Sequence, residues 1–178
     1  MNYFEVFGLP KILNIDLQGL EKLFHELSRK HHPDYFTAAT SEEQATALHM
    51  TALLNDAYRT LRHPIRRTEY LLQTEGFKPD GSKVPKSFLM EMFDINEQLD
   101  EVKGGIATPA QVDAVRQEIE RKSDEFTIRI DAATQQWDAL VTRNASDSEL
   151  RLQLSKMAEV LSEFSYIRNL ERDLEESP

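Results

Sequence analysis

No cysteine occurs anywhere in the 178 residues. That absence excludes a disulfide framework, a thiolate zinc site, a cysteine nucleophile and an iron–sulfur cluster held by the chain's own thiolates. Glycine and proline are scarce too, at 6 and 7 residues, while 21 leucines outnumber valine and isoleucine together. Few chain breakers and many good helix formers point to an all-α fold. No apolar run exceeds three residues, so neither a membrane span nor the hydrophobic segment of a signal peptide is expected, and a cytoplasmic setting is.

Positive charge is also in short supply, with 21 Lys and Arg against 31 Asp and Glu and a net charge of −10. The deficit lies mostly beyond residue 77: residues 1–77 hold 8 cations and 10 acids, residues 78–178 hold 13 and 21. So acidic a surface argues against sequence-independent binding to nucleic acid or to anionic lipid, and neither partner is expected. What the chain does have is apolar material, 40% of its residues. That suffices for a core.

Helix signals arrive in order. Tyr3, Phe4, Val6 and Phe7 suggest a short apolar helix closed by Gly8 and Pro10. Asp16 is placed to cap a helix whose stripe is Leu17, Leu20, Phe24 and Leu27. Pro33 stops that helix near His32. Ser41 with Gln44 reads as a capping box for a third helix carrying Met50, Leu54, Ala57, Tyr58 and Leu61. Pro64 opens a fourth helix that Gly76 ends. The segment GFKPDGSKVP, residues 76–85, is the strongest linker signal in the chain.

Three longer amphipathic helices follow. The first runs from about Lys86 to Val102 and stops at Gly104-Gly105. The second opens at Thr108-Pro109 with Gln111, carrying Val112, Ile119, Phe126, Ala133 and Leu140. The third opens with a Ser146–Glu149 capping box, carrying Leu150, Leu154, Met157, Leu161 and Phe164. Short turns between such helices predict an antiparallel three-helix bundle.

The helix at 86–102 has an apolar face to spare. At 100° per residue, Phe88, Met92, Ile95, Leu99 and Val102 form one core stripe. Leu89, Met90 and Phe93 fall on another side, among Asp94, Glu97 and Glu101. Two readings stand for this second patch: a partner surface edged by acids, or the seam against the N-terminal helices.

The loop His31-His32-Pro33-Asp34 follows a helix ending in Arg29 and Lys30. The tripeptide His-Pro-Asp alone is weak, since it arises by chance in roughly one chain in a hundred of this length. Its setting is more specific: a short first helix, an amphipathic basic second helix, the tripeptide in a loop, then a capped third helix. This resembles the J domain of the DnaJ family. The segments NYFEVFGLP, LRHPIRRTEYLL and FLMEMFDINEQLDE resemble the HscB family in particular, the J-type co-chaperones of iron–sulfur cluster assembly.

The resemblance implies a J domain over residues 1–76, a linker at 77–85 and a three-helix scaffold-binding domain at 86–178. It implies that His32, Pro33 and Asp34 engage a DnaK-type, HscA-like chaperone ATPase and stimulate it, with Lys22, Arg29 and Lys30 docking on an acidic groove. It further implies that Leu89, Met90, Phe93, Asp94, Glu97 and Glu101 bind the iron–sulfur cluster scaffold protein, joined by Tyr166 from the segment SYIRNLERDLEE. Phe93 and Asp94 depart from the bacterial pattern, which has a leucine and a longer acid there. A monomer is expected, with no cofactor, no metal held by this chain and no enzymatic activity of its own. No phosphate loop, nucleophile elbow or HExxH motif appears. Two rivals remain: a J protein serving another client, and a helical adaptor whose His-Pro-Asp loop is incidental.

Overall fold

The computed structural model describes residues 1–79 and 84–177. Residues 80–83 of the expected 77–85 linker lie outside the described residues, as does Pro178. The order along the chain is α1 (Tyr3–Val6), α2 (Leu17–Lys30), a 3₁₀ turn (Pro33–Phe36), α3 (Ser41–Leu61), α4 (Pro64–Thr74), α5 (Lys86–Lys103), α6 (Pro109–Thr142) and α7 (Asp147–Glu175). The fold is all-α: an N-terminal J domain built on the α2–α3 hairpin, and a C-terminal antiparallel bundle of α5, α6 and α7.

Local chemistry sets most helix ends. Asp16 accepts from the Gln18 amide at the start of α2, and reciprocal boxes cap α6 (Thr108 with Gln111) and α7 (Ser146 with Glu149). At α3 the sequence expectation is off by one. The box is Thr40 with Glu43, whereas Ser41 is the first helical residue. Segment TSEEQ offers two overlapping boxes, and the one that puts a carboxylate at the positive end of the helix prevails. Gln44 instead donates to the carbonyls of Thr37 and Ala39, at 3.3 and 3.2 Å.

In the J domain, Phe4, Leu20, Leu54, Leu61, Leu71 and Leu72 are fully buried. Tyr3 stacks on Tyr70 at 4.1 Å, and Phe24 on Tyr58 at 4.2 Å. Leu17, expected in the α2 stripe, is exposed. It is the first residue of the helix and overhangs the core, and Leu23 packs against the core from the same helix. In the bundle, Phe126 of α6 stacks on Phe164 of α7 at 3.9 Å. The buried Glu163 of α7 pairs with Arg129 of α6, and Gln153 donates to the Ala133 carbonyl at 2.7 Å.

The two units share one contiguous core cluster. Their joint is built from polar bonds that no local sequence pattern announces. Trp137 of α6 donates from Nε1 to the Lys11 carbonyl at 2.8 Å. Asp138 accepts from the amides of Leu13 and Asn14 at 2.6 and 2.7 Å. The Arg151 guanidinium lies over the Phe77 ring, 6.0 Å from its centre. Helix α4 packs on α7. Beside this joint, a cleft of about 530 Å³ opens between His63, Ile65 and Arg67 on one side and Phe126, Thr127 and Ile130 on the other.

Candidate functional site: a loop and a helix face

The His-Pro-Asp loop is a helix stop turned into a display. His31 caps α2 and sends its amide back to the Leu27 carbonyl. His32 is extended (φ −63°, ψ 129°), and Pro33 begins the 3₁₀ turn. The Asp34 amide donates to His32 Nδ1 at 3.3 Å, and the Asp34 carboxylate lies 3.5 Å from the same nitrogen. Both side chains remain largely solvent-facing. The loop is tied to α3 from behind, where Thr51 donates to the His31 carbonyl at 3.1 Å. Its backbone is therefore fixed while its functional groups stay outward.

Lys22, Arg29 and Lys30 are all exposed on α2. Glu26 stands four residues from Lys22 and from Lys30, the spacing of a helical ion pair. Yet among the described residues no ion pair involves any of the three cations. Elsewhere the molecule uses such pairs freely: Arg121 bridges Glu118 and Glu125 on α6, and Lys122 reaches Glu91 on α5 at 2.9 Å. Nearby, His25 lies 3.9 Å from Glu21. Among the described residues no group of three or more His, Cys, Asp or Glu is placed to hold a metal ion.

The second candidate site is on α5. Phe88, Met92, Ile95, Leu99 and Val102 are buried, as the periodicity predicts. Leu89, Met90 and Phe93 are 43%, 76% and 65% exposed. They form, with Lys86, a shallow apolar groove. The reading of this patch as the seam is therefore overturned: α5 packs on α6 and α7, and the J domain docks through α4 and the Trp137–Asp138 joint. Asp94, Glu97 and Glu101 are exposed around the groove, and no ion pair among the described residues involves them.

Tyr166 reaches the edge of this face. Its hydroxyl accepts from Asn96 Nδ2 at 2.7 Å, and its ring meets Phe88 edge-on at 5.8 Å. Asn96 had no place among the candidate residues. Its signal was a polar residue beside the core stripe, visible only once α7 supplies a partner 70 positions away.

Comparison with known proteins agrees with this fold. Residues 84–175 match the family described as the HSCB C-terminal oligomerisation domain. The crystal structure of human co-chaperone protein HscB superposes with a TM-score of 0.68 at 24% identity, covering 98% of this chain and 81% of that one. The chaperone HscB from Vibrio cholerae gives a TM-score of 0.62 at 27% identity, covering 97% and 96%. A J-type fold joined to this bundle defines a co-chaperone. The chain belongs to the HscB family, the J-type co-chaperones of iron–sulfur cluster assembly.

Proposed function

We propose that this chain stimulates ATP hydrolysis by a DnaK-type, HscA-like chaperone and delivers the iron–sulfur cluster scaffold protein to it. Residues 1–76 act as the J domain, 77–85 as the linker and 86–178 as the scaffold-binding unit. His32, Pro33 and Asp34 contact the ATPase, and Lys22, Arg29 and Lys30, which make no ion pair among the described residues, steer it in. Leu89, Met90, Phe93, Asp94, Glu97, Glu101 and Tyr166 bind the scaffold. The observation that carries the reading is an apolar face left open on α5, followed along the helix by the exposed Asp94, Glu97 and Glu101, on the same body as an exposed His-Pro-Asp loop.

Such a face suits a partner segment with apolar side chains and flanking cations. A monomer is part of this proposal, and sedimentation equilibrium at tens of micromolar checks it. The loop is tested with Asp34→Asn. The side chain is exposed, so stability shifts by no more than about 0.5 kcal/mol, whereas stimulation of chaperone ATPase activity is lost. Equal stimulation by both proteins removes the J-domain assignment and favours the adaptor. Normal stimulation by the wild type with no scaffold binding favours a J protein for another client.

A further inference from the structure

Two apolar side chains beside the His-Pro-Asp loop contribute little to the core. Tyr35, the residue after Asp34, is 74% exposed, and its ring meets that of His32 edge-on at 6.2 Å. Leu48 of α3 is 64% exposed. On α3, Gln44, Leu48 and Thr51 lie within about 60° of one another. Gln44 binds the Thr37 and Ala39 carbonyls, and Thr51 binds the His31 carbonyl. Leu48 thus stands between two side chains that hold the loop, on the loop's side of the helix. A single exposed leucine or tyrosine is ordinary. Here one stands in the loop's own 3₁₀ turn and the other on the helix that ties the loop down, while the exposed Arg29 and Lys30 end the helix before it, so apolar area and positive charge meet at one loop.

We infer that Tyr35 and Leu48 are the apolar anchors of the contact with the chaperone ATPase, and that Lys22, Arg29 and Lys30 chiefly guide the encounter. The inference rests on the function proposed above. Exposed charge pairs are screened over about 8 Å at physiological ionic strength and contribute little once formed. Persistence of a complex depends on a few desolvated side chains, with tyrosine prominent among them. Tyr35 offers a flat ring of large apolar area, matched to a partner surface that is apolar next to an acidic rim. The occupant is therefore the ATPase that receives the His-Pro-Asp loop, through an apolar shelf beside its acidic groove.

The test measures the concentration for half-maximal ATPase stimulation at low and high salt, corrected for the chaperone's own salt response. It compares wild type, the double variant Tyr35→Ala with Leu48→Ala, the triple variant of Lys22, Arg29 and Lys30 to Ala, and Asp34→Asn. The double variant is expected to need roughly ten times more protein at both salt concentrations, with an unchanged plateau and melting temperature. The triple variant is expected to be weaker at low salt only. Tyr35→Phe, which keeps the ring, should behave as wild type. A double variant as potent as wild type while Asp34→Asn is inactive overturns the anchors and leaves the J-domain reading standing. An active Asp34→Asn removes that reading, and the anchors with it. A double variant that melts early shows the two side chains to be structural, which also overturns the inference.

Discussion

Glu149 shows how much one exposed carboxylate can hold. It accepts from the Ser146 hydroxyl at 2.7 Å, from the Arg143 guanidinium, and from the Ser146 amide at 3.0 Å. Together these bonds hold its pKa down from 4.5 to about 2. A depressed acid contributes stability above its unfolded value and loses it as pH falls through the folded one. The α7 cap is therefore intact above pH 4.5 and fails towards pH 2. Carboxyl NMR titration should place the Glu149 midpoint near 2, and a midpoint near 4.5 would show the box to be open in solution. Glu149→Gln keeps an acceptor but should flatten the acid-unfolding curve in that window. Caps of this kind, at Asp16, Thr108 and Ser146, are legible in sequence because donor and acceptor lie within three residues. Thr40 was missed because its box overlaps a second one. Asp138 was missed because its partners, Leu13 and Asn14, are more than 120 residues away. No local pattern records such a bond.

At the scale of the helix, α5 was readable throughout because both of its faces follow from the 3.6-residue period. Its side-to-side ties agree with that reading. Glu91 faces Lys122 of α6 at 2.9 Å, which lowers the Glu91 pKa, and Lys103 faces Asp173 of α7 at 2.6 Å. What periodicity leaves open is whether a neighbour covers the remaining sector, since that depends on where the J domain docks. The exposure of Leu89, Met90 and Phe93 predicts the outcome of changing all three to Ala. The melting temperature should move by only a few degrees, because buried residues of these types would cost roughly 2–5 kcal/mol each and these are not buried. Scaffold affinity should fall by about two orders of magnitude, while ATPase stimulation without scaffold persists. A thermal melt and a binding titration on the same sample check it. Unchanged scaffold binding would remove α5 from the site.

Across the whole molecule, the joint between the J domain and the bundle makes the two units one body. The core is continuous through it, and Asp138 and Trp137 bind loop backbone that would otherwise be unpaired there. Wild-type protein should therefore unfold in one calorimetric transition, with van't Hoff and calorimetric enthalpies equal. Asp138→Ala leaves two amides without their acceptor and should cost roughly 2–3 kcal/mol. It should also split the transition in two as the units uncouple. A single transition at the wild-type temperature would assign the joint to its apolar contacts alone.

That same joint has a consequence for encounter statistics. A flexible tether between two docking surfaces lets their ligands sample a large volume, and the local concentration of one near the other is on the order of millimolar for short linkers and lower for long ones. Helix α4 packed on α7, with Asp138 holding residues 13 and 14, takes that sampling away. On the function proposed above, a protein seated on α5 and an ATPase seated on the α2–α3 loop would be held at one separation and one orientation. Their meeting would become a matter of geometry rather than of search, and a client of the wrong size or shape would be excluded by distance, however well its surface residues fit.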